Sequence, residues 1–482
     1  MAVSKKYRCV VVWMRRALRV QDNTPLYAAL QDAEKVVPVV CLRDAAKYRL
    51  QTPRREFIRS ALKDLEARME SLGGRLFVRV GAPERVLPSV ARDHAADAVY
   101  AIDVYDGPTQ ARDERISRLL RKRGIEWRTF KDAILFEGKE ILSTSGVPYK
   151  VYTPYKKEWL GRAEDIPRVL PRVRTVPTPA PGTRDIPLKE VAGCDGTHSP
   201  GGETEARRRL KSFLGTRLLE YKTLRDFPGT DGTSRLSDSL AHGSISVRTV
   251  YWSAREAWEE VDAAGRSSVE TFIAELIWRE FYYSILQNFP FVLERAFREE
   301  FNEISWSEDR SRRAAWSEGR TGYPIVDAAM RQLNTEGWMH NRARMIVASF
   351  LTKDLHISWQ VGERYFSDRL IDADLASNNG GWQWTAGTGT DASPWFRIFN
   401  PVLQARKFDP AGDYIRKYVP ELSAVSQRHI HAPWEMSAAD QSRSGCIIGR
   451  DYPAPIVDHM TARSVTKELY AQPGRTPRSL RR

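Results

Sequence analysis

Cysteine is scarce. The 482 residues hold four, Cys9, Cys41, Cys194 and Cys446, none at short spacing from another. Such scatter argues against a zinc site, an iron–sulfur cluster or a disulfide framework, and suits a reducing cytoplasm. Long apolar runs are missing too. Nothing approaches the ~20 residues needed to span a bilayer, and Cys9–Trp13 is too short for the apolar core of a secretion signal. The expectation is a soluble cytoplasmic chain without membrane contact. No Gly-x-Gly-x-x-Gly follows the first candidate strand, so a nicotinamide dinucleotide site of the usual kind is not expected.

What is present is basic and aromatic. The chain carries 75 Lys+Arg against 61 Asp+Glu, a formal charge of +14 that attracts a polyanion such as nucleic acid. Charge alone does not decide, because many basic proteins bind no nucleic acid. A hydrophobic content of 42% supports buried cores in two or three domains. The 14 tryptophans exceed ordinary usage and invite stacking or electron-transfer roles besides packing.

The first third alternates short β-branched runs with periodic helical stretches. Cys9–Trp13, Val36–Leu42, Arg75–Val80, Ala98–Ile102 and Glu126–Phe130 read as strands, with Arg54–Leu72 and Thr109–Arg123 as helices between them. That rhythm predicts a parallel sheet. Asp22-Asn-Thr-Pro25 supplies a capping residue and a first-turn proline for a helix just after the first strand. From about Gly161 to Gly202 proline, glycine and charge dominate, as in an interdomain connection. Beyond Glu203 the periodicity is helical almost throughout, so an all-α domain with room for a cofactor is expected. The predicted partition is an α/β domain over 1–135, a linker over 136–202, a helical domain over 203–471 and a disordered basic tail over 472–482.

In the helix expected at about Ser267 to Gln287, Glu275, Trp278, Arg279 and Tyr282 share one face, and Phe272, Leu276 and Tyr283 another. That first face reads either as a solvated surface with an i,i+4 ion pair or as the wall of a lined cavity. Thr233-Ser-Arg-Leu-Ser237, with Tyr221 and Arg225 ahead of it, offers hydroxyls and a cation for a diphosphate, but equally suits a helix start. Asp372 and Asp374 lack a third hard ligand nearby, so a metal pair is disfavoured.

Trp338-Met-His-Asn-Arg-Ala-Arg-Met345, Leu370-Ile-Asp-Ala-Asp374 and Asn378-Asn-Gly-Gly-Trp-Gln-Trp384 crowd arginines, amides, thioethers, carboxylates and tryptophans into one region. This region resembles the flavin-binding core of the photolyase/cryptochrome family, in its class I cyclobutane pyrimidine dimer photolyase form. Ser393-Pro-Trp-Phe-Arg-Ile-Phe-Asn-Pro401 extends the match, which covers nearly the whole chain. The resemblance implies a Rossmann-like N-terminal domain, a long linker and an all-α FAD-binding domain. It implies FAD contacts at Tyr221, Thr233, Ser234, Arg235, Leu236, Ser237, Phe272, Arg279, Asn341, Arg344, Asp372, Asp374 and Asn378, with Arg344 paired to Asp372 and Asn378 beside flavin N5. Asparagine at 378 matches photolyases, whereas cryptochromes often carry aspartate or cysteine there.

The resemblance further implies that Trp306, Trp359 and Trp382 relay electrons to the flavin. Glu275, Trp278, Tyr282, Asn341, Arg342, Met345 and Trp384 would hold the lesion, and Arg225 and Gln404 would touch DNA. Enzymes of the family that repair the (6-4) photoproduct carry histidines at the positions of Asn341 and Met345, and neither is histidine here. The expected activity is light-driven splitting of cyclobutane pyrimidine dimers by reduced FAD in a monomer, with a cryptochrome-type photoreceptor or a (6-4) photolyase as alternatives. Folate-binding members carry an Asn-Glu pair where this chain reads Tyr105-Asp-Gly-Pro-Thr-Gln110. The antenna therefore stays open between folate, deazaflavin, a second flavin and none.

Overall fold

A computed structural model describes residues 5–43, 52–182, 184–189, 200–394 and 396–473. Cys194, Trp395, part of the proline-rich stretch (190–199) and the basic tail from 474 lie outside the described residues. Contacts gather the chain into two compact units, one of residues 1–149, 153–219 and 234–290, the other of residues 150–152, 220–233 and 291–482.

The first unit is built on five parallel strands, β1 (Tyr7–Trp13), β2 (Ala33–Leu42), β3 (Phe77–Val80), β4 (Ala98–Ile102) and β5 (Glu126–Phe130), in the order β3-β2-β1-β4-β5. A parallel sheet covered on both faces makes its strands nearly continuous apolar runs, which is why they show in the sequence. Alternation along β1 sorts the residues. Val10 and Val12 join Leu26 and Ala29 of α1 (Thr24–Asp32) and Leu62 and Leu65 of α2 (Pro53–Ser71). Cys9, Val11 and Trp13 join Val90 of α3 (Pro83–Asp93) and Ile116 and Leu120 of α4 (Gly107–Arg121). Each such fully buried aliphatic side chain contributes about 1.5–3 kcal/mol.

The expected helix start is realised: Asn23 Oδ1 accepts the Leu26 N–H at 3.0 Å and a proline occupies the first turn. Strand β2 begins three residues earlier than its apolar run, because Ala33 already pairs with Tyr7. The Tyr105–Gln110 segment forms the start of α4, where Asp106 accepts the Thr109 N–H at 2.9 Å. Described parts of the proline-rich stretch are fixed to the sheet. Pro177 O accepts from Val36 N at 2.8 Å, and Ile186 N donates to Val78 O at 3.1 Å, covering the edge strand β3. The same unit contains the long helix Ala263–Asn288, capped by the Asp262 side chain.

The second unit is helical. Its core gathers Trp316, Phe350, Leu351, Trp359, Phe366, Trp382 and Tyr414. Among the described residues no helix is long and apolar enough to cross a membrane, and no cluster of three metal-binding side chains occurs. Cys9, Cys41 and Cys446 are free thiols.

Candidate functional site

In the helical unit the Asp372 neighbourhood is assembled by three helices. Arg344, on the helix Asn341–Ser349, donates from Nη2 to Asp372 Oδ2 at 2.8 Å and from Nε to the Met339 carbonyl at 2.8 Å. The pairing expected from sequence is present. Asp374 caps the helix Leu375–Ala386 by accepting the Ser377 N–H at 3.0 Å. One turn in, Asn378 Nδ2 donates to the Glu363 carbonyl at 2.9 Å and Asn379 Nδ2 to the Glu363 carboxylate at 2.9 Å, tying this helix to Trp359–Arg369. Burial pushes the Glu363 carboxyl up to about 7, opposed by the Asn379 hydrogen bond.

The two helices approach this closely because residue 362 is glycine. A Cβ there would lie 2.0 Å from Trp382 Cη2, so the indole occupies the space a side chain would fill. Trp382 is buried against Phe366, with ring centroids 5.0 Å apart, and Trp316, 6.2 Å away. Trp359 is buried in the same cluster, and half-buried Trp306 packs against it with its ring 6.3 Å from Tyr470.

Asp372 Oδ1 is buried with no hydrogen-bond partner among the described residues. An unmet buried carboxylate oxygen is costly. A donor such as the N–H of a flavin ring would satisfy it, so Asp372, held by Arg344, fits the expected FAD.

Arg342, Met345 and Trp384, expected at the lesion, and Gln404, expected to touch DNA, line one cavity of about 810 Å³ in this unit. Arg342 is held there by Asp226 at 2.8 Å and lies over the Phe408 ring, 4.3 Å from its centroid. Asn341 is exposed and does not line the cavity; its Nδ2 meets Met345 Sδ at 3.9 Å, one helical turn on. The segment before Pro401 adds Arg397, Phe399 and Asn400 to the lining, the last capping the helix Pro401–Phe408. Lys407, His459, Met460 and Arg463 also line it, and no motif in the sequence marks any of these four. Tyr221 is buried nearby in sequence to half-buried Arg225, whose guanidinium lies 5.4 Å from the tyrosine ring. Gly232, just before Thr233, folds onto Leu224, leaving a Cβ only 2.6 Å from Leu224 Cβ.

The sheet-containing unit holds the remaining expected residues. Ser234 is half-buried, Arg235 and Ser237 are exposed and Leu236 is buried, just ahead of and into the short helix Ser237–His242. No side chain caps that helix, so the segment is not a capped helix start. Arg209 fixes it by donating to the Arg235 carbonyl at 3.2 Å and pairing with Asp238 at 2.8 Å. On Ala263–Asn288, Phe272, Leu276 and Tyr283 are buried and Glu275, Trp278, Arg279 and Tyr282 half-buried, as the two faces predict. Arg279 donates to the Ala133 carbonyl at 2.7 Å, and Trp278 packs on Tyr282 with ring centroids 5.7 Å apart. This face is half-buried rather than fully solvated.

Comparison with known proteins accords with these features. Residues 272–472 match the FAD binding domain of DNA photolyase, and residues 10–181 match the DNA photolyase domain. A deoxyribodipyrimidine photo-lyase of Alkalihalophilus pseudofirmus is 41% identical over 94% of this chain and 95% of its own length. Among solved structures, a bacterial class III photolyase from Agrobacterium tumefaciens superposes with a TM-score of 0.88 at 37% identity, covering 98% of both chains. A Synechocystis cryptochrome superposes with a TM-score of 0.85 at 30% identity, covering 97% of this chain and all of its own. Sequence kinship over nearly the full length, joined to an Asp372 environment that fits a flavin, places the chain in the DNA photolyase family of FAD-binding enzymes of light-dependent DNA repair.

Proposed function

We propose that the lesion repaired is the cyclobutane pyrimidine dimer. The observation that carries this reading is the single cavity lined by Arg342, Met345, Trp384 and Gln404, where an aromatic wall, a thioether and amide and guanidinium donors suit a flipped pyrimidine pair. Asn341 and Met345 supply neither the acid nor the base that histidines would provide for (6-4) repair.

When bound, reduced FAD supplies the light-driven electron that opens the dimer and afterwards returns. The chain's own residues do the rest. Arg344, Asp372, Asp374 and Asn378 hold the isoalloxazine side, and Tyr221, Phe272, Arg279 and the Thr233–Ser237 segment hold the remainder of the cofactor. Glu275 hydrogen-bonds the dimer, Trp278 and Trp384 exclude water, and Arg225 and Gln404 contact DNA. Trp306, Trp359 and Trp382 carry electrons inward during photoreduction; their burial, half-buried at 306 and full at 359 and 382, supports that direction. The functional partition remains 1–135, 136–202 and 203–471, and the enzyme acts as a cytoplasmic monomer. The antenna chromophore stays unassigned.

The test illuminates FAD-loaded, reduced protein with DNA containing either cyclobutane dimers or (6-4) lesions and follows the loss of each against a dark control. Repair of the cyclobutane dimer alone is expected; repair of only the other lesion overturns the assignment. The likeness to a cryptochrome supports a second reading, a photoreceptor, which a photoreducible protein that repairs neither lesion would favour.

A further inference from the structure

The helix His459–Ala471 lies outside every segment discussed as substrate-binding, yet its first turn reaches the basic cavity through His459, Met460 and Arg463. His459 and Arg463 are four residues apart and share a face. His459 is only 8% exposed. Its Nδ1 lies 2.5 Å from Asp354 Oδ1, and Asp354 is fully buried in the π-helical turn Phe350–Asp354 that continues the helix bearing Arg342 and Met345. A buried histidine on a cavity wall, tied at one nitrogen to a buried carboxylate, has Nε2 as its remaining polar atom. The carboxylate accepts from Nδ1 and fixes the ring, and because a phosphate oxygen only accepts, a contact at Nε2 needs a ring that carries a proton on both nitrogens.

We propose that His459 and Arg463 together contact a phosphodiester of the bound DNA strand, with Asp354 holding the His459 imidazole as a cation. The proposal rests on reading the cavity as the DNA groove. Around His459 the charged groups are Asp354 from the π-helical turn, Asp458 immediately before it, Arg463 one turn on along the same helix face, and, lining the same cavity, Arg397, Lys407 and the Arg342–Asp226 pair. Asp458 is committed to capping the helix through Thr461 N at 2.8 Å. Lys353 is turned to the Ala386 carbonyl at 2.6 Å and the Tyr470 ring. His356, which shares the Ala462 carbonyl of the same helix, is pushed down to about 4 by burial and stays neutral through the neutral range. The helix N-terminus adds its own preference for an anion. Burial pushes the Asp354 carboxyl up to about 6, opposed by His459, so above that pH Asp354 is an ionised acceptor for the Nδ1 proton.

The experiment measures Kd of the full-length FAD-loaded protein for a short labelled duplex with one cyclobutane thymine dimer, by fluorescence anisotropy, across KCl at pH 6.5 and 8.5. For the parent, affinity weakens as pH rises, because binding takes up a proton. His459→Gln and Arg463→Gln each lower the slope of log Kd against log salt by about one. His459→Gln abolishes the pH response, Asp354→Asn weakens it, and Arg463→Gln retains it. Arg463 is exposed, so its variant folds even where a change at the buried pair does not; FAD absorbance reports folding in each. A His459→Gln protein that retains FAD and keeps the parent's slope and pH response overturns the proposal, while an Arg342→Gln variant that still loses affinity would leave the groove reading intact. A parent that binds no DNA overturns both.

Discussion

Trp382 is the residue whose surroundings say most about its role. It is buried against Gly362, Phe366 and Trp316, yet its Nε1 has no hydrogen-bond partner among the described residues. An indole kept for packing usually satisfies its N–H. Replacing it with phenylalanine removes an unmet donor, worth about 1–3 kcal/mol, but opens a void that costs a comparable amount. Trp382→Phe is therefore expected to keep stability within about 2 kcal/mol and to slow FAD photoreduction at least tenfold. Blue-light bleaching of the flavin absorbance in the presence of a thiol reports the rate, and a parent-like rate would remove Trp382 from the relay. Glu363 makes a different prediction. Its carboxyl rises from 4.5 to about 7 through burial, so the folded protein binds a proton there that the unfolded chain has lost. Its stabilising share is full at acid pH and disappears as pH rises through about 7. Glu363→Gln keeps an acceptor for Asn379 without the titration. Thermal melts from pH 5.5 to 8 should show a smaller fall in Tm for this variant than for the parent; equal falls would mean that the carboxyl is not perturbed.

The helices Trp359–Arg369 and Leu375–Ala386 work as a pair, joined by Asn378 and Asn379 on Glu363 and by Trp382 on Gly362. Gly362→Ala puts a methyl 2.0 Å from the Trp382 ring, and overpacking of this kind costs about 1–3 kcal/mol. Because Asn378 is bonded to the adjacent residue's carbonyl, the same change should loosen the flavin end of the helix. We expect a lower Tm and faster loss of FAD on dialysis; a protein with unchanged Tm would show that the helices part without cost. Elements of this kind were only half legible in the sequence. The strands were visible because both faces of a parallel sheet are buried, leaving valine-rich runs such as Cys9–Trp13. Asp374, Asn378 and Trp382 were visible through their motif, but the dependence of their placement on Gly362 was not. A glycine in a helical pattern does not announce which side chain lies over it. His459, Met460 and Arg463 were missed for a related reason: they reach the cavity from more than fifty residues beyond Gln404 on a helix with no motif of its own.

At the scale of the molecule, the formal charge of +14 gave the first hint of a polyanionic partner but not its place. The cavity narrows it to four cations, Arg397, Lys407, Arg463 and, in the bound state proposed above, the His459 imidazolium, since Arg342 is paired with Asp226 and assigned to the lesion. If each meets one phosphate, log affinity should fall against log salt with a slope of about −3.6, roughly a 150-fold loss between 50 and 200 mM KCl. The bases of the lesion carry no charge and meet Met345, Trp384 and the Asp226-paired Arg342, so their contribution should hardly respond to salt. Damaged and undamaged duplexes are therefore expected to give parallel lines, offset by a constant factor. Any ionic contact made only with the flipped dimer would release counterions that undamaged DNA retains, and the two lines would then diverge. Parallel slopes measured by anisotropy would separate the two jobs of the groove, cations for the backbone and walls of no net charge for the lesion; diverging slopes would show that one of those cations reaches its phosphate only when the dimer is flipped.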